Sequence, residues 1–167
     1  MSLYEPFEIS HVANAPLEQV WQAWTTEADL LQWWGPSGLE MKAASVDVSP
    51  GGKFHYVMSN GADAEEPFEL WGALEYVEVE PLQHIVFDNY FSDADGGKTR
   101  HFMNPDWPLV VRTTLTLVAD GDKTLIHMQG GPIDASELEQ KIYSDNFESM
   151  RIGFSGTFAQ LDDFLAK

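Results

Sequence analysis

The stretch YSDNFESMRIGFSGTFAQLDDFL (residues 143–165) decides the fold of this chain. Its apolar side chains recur at steps of three and four residues, which is the spacing of one face of an α-helix. They are Tyr143, Phe147, Met150, Phe154, Phe158, Leu161 and Leu165. Asp134 or Ser136 is a suitable N-cap, so the pattern predicts one long amphipathic helix at the end of the chain. Gly153 and Gly156 weaken a helix by about 1 kcal/mol each, and we expect them to allow a bend or a close approach to a sheet.

The residues before this helix follow a different period, of two, which is typical of β-strands. The predicted strands cover residues 41–48, 53–58, 67–79, 83–91, 109–118 and 123–130, and residues 7–12 form a seventh. Pro-Gly-Gly, Asn-Gly, Glu-Pro and Asp-Gly turns separate several of these segments,. Because the connections are short, neighbouring strands are expected to be antiparallel.

Two short helices are predicted between the first two strands. Asn14 is a suitable N-cap for the first helix, and Pro16 lies in its first turn, where a missing N–H costs nothing. Apolar residues follow at helical spacing and must be covered: Leu17, Val20, Trp21 and Trp24,. Thr26 and Asp29 have the spacing of a capping box that starts the second helix.

A pair of tryptophans ends the second helix. Gly35 is the predicted left-handed C-cap, and Pro36 prevents the helix from continuing. One of Trp33 and Trp34 follows the apolar stripe inward, and the other projects about 100° around the axis, toward the open end of the sheet. The pair is therefore expected to plug the core, with Trp34 as a candidate wall of a cavity.

The order of these elements describes a single α+β domain spanning residues 1–167,. A strand, two short helices and six further strands precede the long helix. The apolar stripe of that helix makes it the natural core partner of a curved sheet. Such an arrangement leaves room at one end, where the short helices can act as a plug.

Acidic residues outnumber basic residues by 27 to 9, for a formal net charge of −18. Such a chain repels phosphate backbones and anionic headgroups, so we expect neither nucleic acid nor a membrane as a partner. Cysteine is absent, which excludes disulfides, thiolate nucleophiles and Cys-ligated metals,. Without a secretory signal or a membrane-spanning run, the chain is predicted to be cytoplasmic. The opening Met-Ser-Leu is either native or a cloning remnant.

Five stretches carry a resemblance to a known family. They read PLEQVWQAWTTEADLLQWWGP, VDVSPGGKFHYVM, LWGALEYVEVEPLQHIVF, TTLTLVADGDKTLIHMQG and GFSGTFAQLDDFL, in this order. The chain resembles the SRPBCC (START-like, birch-allergen-like) superfamily, and within it the activator-of-Hsp-ATPase-homologue branch. The last stretch usually opens with Gly-Trp in that family, whereas here it reads Gly153-Phe154. We expect this difference to enlarge the pocket beneath the helix.

The resemblance implies a helix-grip fold, in which a curved antiparallel sheet of seven strands wraps around the long helix and leaves a deep cavity. It does not imply one activity. Relatives are lipid or hormone carriers, polyketide cyclases and aromatases, ring-hydroxylase subunits and a co-chaperone. The function of this chain therefore depends on its own site residues.

The sequence contains none of the usual motifs of catalytic triads, metal sites or phosphate-binding loops. No G-x-S-x-G elbow carries a serine, and the five histidines lack the spacing of a metal site,. The glycine pairs lack the spacing and the following lysine of a phosphate cradle. We therefore predict no metal and no cofactor.

The candidate cavity residues come from the strands, the helices and one loop. They are Trp34, Tyr56, Trp71, Phe102, Trp107, Arg112, His127, Tyr143, Phe147, Met150 and Phe154. Inside the cavity, Arg112 would hold a carboxylate bidentately; outside, it would pair with an acidic side chain. His127 is either an acid, base or donor toward a ligand, or a histidine on the solvent face of the sheet.

The longest irregular connection covers residues 92–108 and carries Phe102, Met103 and Trp107. A loop of this length is unusual in a compact domain unless it has a function. It is predicted to act as a lid over the cavity mouth. The alternative is an apolar patch for a partner, such as the second subunit of a homodimer.

The predicted function is a binding protein or ligand-dependent regulator that encloses a small hydrophobic or aromatic molecule, such as a lipid or a polyphenol. The first alternative is a cyclase or dehydratase in which His127, Tyr56 or Tyr90 moves a proton. The second is a chaperone-ATPase activator that works through surface contacts. Contact with a chaperone is not expected, because the eukaryotic activator has an additional amino-terminal domain for which this chain has no room.

Overall fold

The computed structural model describes residues 4–35, 38–61 and 63–167, without the side chains of residues 43 and 44. The strands are β1 (Phe7–Ala13), β2 (Glu40–Val46), β3 (Lys53–Ser59), β4 (Glu69–Glu80), β5 (His84–Ser92), β6 (Lys98–Thr99), β7 (Val111–Asp120) and β8 (Lys123–Pro132). The helices are α1 (Leu17–Thr25), α2 (Glu27–Trp33), α3 (Glu137–Asp145) and α4 (Phe147–Leu165). The predicted α+β class and helix-grip architecture are confirmed. The predicted stop at Pro36 and the origin of residues 1–3 lie outside the described residues.

The strands form one antiparallel sheet with the order β1-β8-β7-β5-β4-β3-β2, and β6 pairs with β5. This is one strand more than the seven predicted, because β6 is a two-residue strand inside the long loop. The β7–β8 turn follows the Asp-Gly signal: Gly121 has a φ of +64°, and the flanking Asp120 pairs with Lys123. The turn residues, as well as the strand residues, therefore specify the antiparallel pairing of β7 and β8.

The C-terminal helical region is divided in two, whereas one continuous helix was predicted. The division falls at Asn146, whose φ of −105° and ψ of 12° are not helical. Its side-chain amide donates to the carbonyl of Ile142 at 2.7 Å, and its backbone N–H bonds the carbonyl of Tyr143 at 3.2 Å. An asparagine that bonds backbone groups in this way competes with the helical ladder.

The predicted start at Ser136 is observed as a complete capping box. The Ser136 hydroxyl accepts from the Glu139 N–H at 3.1 Å, and the Glu139 carboxylate accepts from the Ser136 N–H at 2.9 Å. Two backbone donors at the start of α3 are thereby satisfied. Of the two alternatives from the sequence, Ser136 and not Asp134 is the cap.

The caps of the two short helices differ from the prediction. Pro16, and not Asn14, is the N-cap of α1, and its carbonyl accepts from the N–H groups of Gln19 and Val20. Thr26 is the N-cap of α2, but its hydroxyl donates to the Gln22 carbonyl at 3.1 Å instead of closing a box. The hydroxyl thus stabilises the end of α1 and not the start of α2.

Gly153 and Gly156 do not interrupt α4, and they do not provide the close approach to the sheet that was one of the two predicted reasons for them. The helix continues through both positions, and a Cβ atom added at either one would meet nothing within 4 Å. Replacing both with alanine is expected to stabilise the protein by about 1 kcal/mol per site, because glycine costs backbone entropy in a helix.

The melting temperature of the double variant Gly153→Ala/Gly156→Ala tests this expectation, with a rise of roughly 4 to 8 °C predicted. Gly72→Ala is the matched control, because its added Cβ would lie 2.8 Å from the Tyr56 hydroxyl. That variant should melt below the wild type. A lower melting temperature for the helix variant would show that α4 needs its glycines.

The tryptophan pair fills one end of the fold. Trp33 is 1% exposed, and its indole N–H donates to the Ala23 carbonyl at 2.9 Å. The Trp24 ring lies 4.7 Å from that of Trp33, and Trp34 packs 5.6 Å from Trp33. The second half of α4 closes this cluster with Phe158, Leu161 and Leu165. This end of the grip is packed solidly, as expected for a plug.

The described helices include none that is both long enough and apolar enough to cross a bilayer.

Candidate functional site

A cavity of about 640 Å³ lies beneath the first half of α4, next to the cluster of Trp24, Trp33 and Trp34. The cavity has three sides. The first is the inner face of the sheet, the second is formed by α3 together with the start of α4, and the third is the loop between β6 and β7. The sheet contributes Phe7, Tyr56, Met58, Asn89, Val111 and Met128, among others. The helices contribute Tyr143, Asn146, Met150 and Phe154, and the loop contributes His101, Met103, Asn104 and Trp107.

The two halves of α4 differ in burial, and the cavity lies at the less buried first half. Phe158 and Leu161 are buried, whereas Met150 and Phe154 are only partly buried. A second, smaller cluster of Phe7, Val111 and Tyr143 packs beside this first half of the helix. The side chains of this smaller cluster and of the first half of α4 therefore surround the cavity without filling it.

Five of the predicted cavity residues border this space: Tyr56, Trp107, Tyr143, Met150 and Phe154. Tyr56 lies where the cavity meets the tryptophan cluster, and its ring is 6.3 Å from that of Trp34. Burial raises the pKa of Tyr56, while hydrogen bonds with Trp34 and Asn89 oppose the rise. The hydroxyl consequently stays protonated at neutral pH.

The prediction for Arg112 was wrong. It lies on β7 at a position that alternates with the buried Val111 and Thr113, so its side chain is on the outer face. Its guanidinium bonds both carboxylate oxygens of Asp88, at 2.7 and 2.9 Å. Asp88 is its direct cross-strand partner. The ion pair is the alternative that the sequence left open.

His127 is also on the outer face, so its predicted cavity role was wrong. It alternates with the buried Ile126 and Met128 on β8, and its Nε2 lies 3.6 Å from the Glu8 carboxylate. Tyr90 borders the cavity, but its hydroxyl donates to Glu75 at 3.2 Å on the same outer face. Burial first, and then the nearby carboxylates, raise the pKa of Tyr90 to about 12.

Four aromatic predictions also need correction, because these rings do not line the cavity. Trp34 is separated from the cavity by Tyr56. Phe147 does not border the cavity either, and its ring lies 5.6 Å from that of Tyr143, which does. Trp71 alternates with the inward Gly72, and its ring contacts that of His55 on the outer face, with 5.1 Å between the ring centroids. Phe102 is 69% exposed at the tip of the loop.

The loop between β6 and β7 closes one side of the cavity. Arg100 fastens it to α3 through an ion pair with Glu139, and also donates to the Trp107 carbonyl at 3.3 Å. The Trp107 ring lies 5.5 Å from that of Tyr143, across the boundary between loop and helix. The loop is therefore part of the cavity wall, while Phe102 and Met103 on it are exposed.

His101 is a cavity residue that no sequence pattern identified. Its Nδ1 accepts from the backbone N–H groups of Met103 and Asn104, at 3.0 and 3.2 Å. Its ring contacts those of Phe91 and Phe102, each at 4.9 Å between centroids. Burial lowers the pKa of His101. The ring is therefore neutral at neutral pH and carries its proton on Nε2.

Because the pKa of His101 is lower in the folded state than its ordinary value of 6.5, the unfolded chain binds the additional proton more readily. The neutral ring thus contributes stability that is complete above pH 6.5 and decreases as the pH falls below it,. Urea unfolding between pH 7.5 and pH 5.5 should show a smaller acid-induced loss in His101→Phe than in the wild type. His84→Phe, on the outer face beside Glu78, is the control. Equal losses in all three proteins would contradict the burial of His101.

The family model described as Activator of Hsp90 ATPase homolog 1-like protein matches residues 14–166. The chain belongs to this family. The SRPBCC resemblance is thereby confirmed, and membership suggests a ligand-binding fold. A search of curated proteins gave no match to this chain.

Solved structures show the same architecture in bacterial proteins. A solution structure from Arthrobacter aurescens is 24% identical, with a TM-score of 0.76 over 96% of this chain and 86% of that chain. A Mycobacterium smegmatis protein is 25% identical, with a TM-score of 0.71 over 95% and 88% of the two chains. The AHSA1 protein from Silicibacter pomeroyi is 19% identical, with a TM-score of 0.69 over 96% and 97%. These similarities support the fold.

Proposed function

We propose that this member of the family is a binding protein that encloses a small apolar or aromatic molecule between the sheet, α3 and α4. The observation that carries the proposal is the cavity of about 640 Å³, because ligand pockets in proteins typically measure about 300–1,000 Å³. Its walls combine aromatic and methionine side chains with a few hydrogen-bonding groups, which is the usual composition of such sites.

The three groups that the sequence suggested for proton transfer do not favour that reaction. Of the three groups named for a cyclase or dehydratase, His127 and the Tyr90 hydroxyl are engaged on the outer face. Tyr56 remains, but its raised pKa makes it a hydrogen-bond donor and a poor base at neutral pH,. The geometry therefore supports a role in holding a ligand.

A panel of neutral apolar molecules tests the proposal, by native mass spectrometry and by thermal unfolding. The fluorescent probe 1-anilinonaphthalene, dodecanol and a polyphenol represent aromatic, aliphatic and phenolic ligands. At a concentration 100 times its Kd, a ligand stabilises the folded state by about 2.7 kcal/mol, or roughly 5 to 10 °C. No binding by any of the three, with a salt-dependent pull-down of a chaperone instead, would favour the surface-contact alternative.

A further inference from the structure

Within the described ranges, every side chain that lines the cavity is uncharged at neutral pH. The polar ones include Tyr56, Asn89, His101, Asn104, Tyr143 and Asn146, together with the hydroxyl-bearing Tyr90, Thr113 and Ser149. The residues outside those ranges carry no ionisable side chain. An ionised ligand would therefore lose its hydration without gaining a counter-ion, which is strongly unfavourable.

The arginines around the cavity walls are engaged elsewhere. Arg112 pairs with Asp88 on the outer face, and Arg100 pairs with Glu139. Arg151 lies over the Phe7 ring at 5.3 Å and is exposed to solvent. The net charge of −18 adds a long-range repulsion of anions,.

The loop carries two neutral N–H donors on residues that line the cavity, His101 and Asn104. Because the Nδ1 of His101 accepts from the Met103 and Asn104 N–H groups, the ring proton is on Nε2. In the part of the chain that the structure describes, neither this Nε2 nor the side-chain amide nitrogen of Asn104 has a hydrogen-bond partner. Two such N–H donors match a carbonyl oxygen.

We propose that the cavity selects an uncharged aromatic or apolar molecule with a carbonyl oxygen, which His101 and Asn104 receive at the loop, and that it rejects the corresponding carboxylate. This inference rests on the proposed function. It specifies the ligand class: ketones, esters and amides of apolar skeletons, rather than fatty or aromatic acids.

Three naphthalenes of nearly equal size test the selection: 2-acetylnaphthalene, 2-ethylnaphthalene and 2-naphthoate. Each competes with 1-anilinonaphthalene in a fluorescence titration at pH 7.5 and 0.5 M NaCl, where repulsion by the net charge is largely screened. We expect the ketone to bind at least a hundredfold more tightly than the carboxylate. With a carboxyl pKa of about 4, only about one naphthoic acid molecule in three thousand is neutral at this pH.

Two variants test the donors. His101→Phe keeps the ring contacts, and Asn104→Ala keeps the backbone N–H that bonds His101. Each variant should weaken the binding of 2-acetylnaphthalene by about fivefold, which corresponds to the loss of one hydrogen bond. The affinity for 2-ethylnaphthalene should be unchanged. Equal losses for both ligands would mean that these residues only support the loop, and would overturn the carbonyl assignment.

The outcomes separate the inference from the proposed function. Equal binding of 2-naphthoate and 2-acetylnaphthalene would overturn the charge selection while leaving the binding function in place. Failure of the probe and of all three naphthalenes to bind would overturn both. Tight ketone binding that persists at high salt, with weak carboxylate binding, is the expected result.

Discussion

Replacing Trp33 with alanine is expected to lower the free energy of unfolding by about 3–5 kcal/mol. Trp33 is the largest of the fully buried side chains, and its ring packs against Trp24 and Trp34. The replacement also removes the N–H that bonds the Ala23 carbonyl. Domains of this kind have a total stability of about 5–15 kcal/mol, so the variant should be close to unfolding at 37 °C.

Urea unfolding followed by circular dichroism measures this loss. Trp71→Ala is the matched control, because Trp71 is a half-buried tryptophan on the outer face. It should cost less than half as much. If the two variants lost equal stability, the tryptophan pair at the end of α2 would not be the plug of the core.

The second large effect concerns the cavity. Val111→Trp is expected to weaken 1-anilinonaphthalene binding by at least about tenfold, or 1.4 kcal/mol. Val111 is buried on β7 and borders the cavity, so the indole extends into the space that the ligand would occupy. Thermal unfolding should show little loss of stability, because the ring enters open volume instead of a filled core.

Val118→Trp makes the same change on the same strand. Val118 is 52% exposed on the outer face, so the variant should bind the probe like the wild type. Fluorescence titration of the three proteins provides the comparison. Undiminished binding by Val111→Trp would place the probe outside the cavity.

The elements of the fold could be predicted because their burial is periodic. On β7, Leu115 and Leu117 share the inward face with Thr113, and the stripe of the final helix repeats every three to four residues. The same alternation places Arg112 on the face opposite to Leu115, so its position on the outer face could have been predicted. His127 could likewise have been assigned to the outer face from its buried neighbours on β8.

Other features of the site depend on contacts that no local pattern encodes. His101 borders the cavity only because the loop folds back on Phe91 and Trp107. The division between the packed and open ends of the grip depends on the sizes of side chains from distant segments. The break at Asn146 depends on one side-chain amide, and glycines elsewhere in the helix gave a stronger signal for a bend.

If a ligand occupies the space beneath the first half of α4, the methionine side chains around that space should respond to it, and methyl NMR measures this response. Met58, Met103, Met128 and Met150 border the cavity, and Met41 packs outside it. On titration with 1-anilinonaphthalene, the methyl signals of those four residues should shift together while that of Met41 stays in place. Shifts confined to Met41, or no shift at saturating probe, would contradict the account.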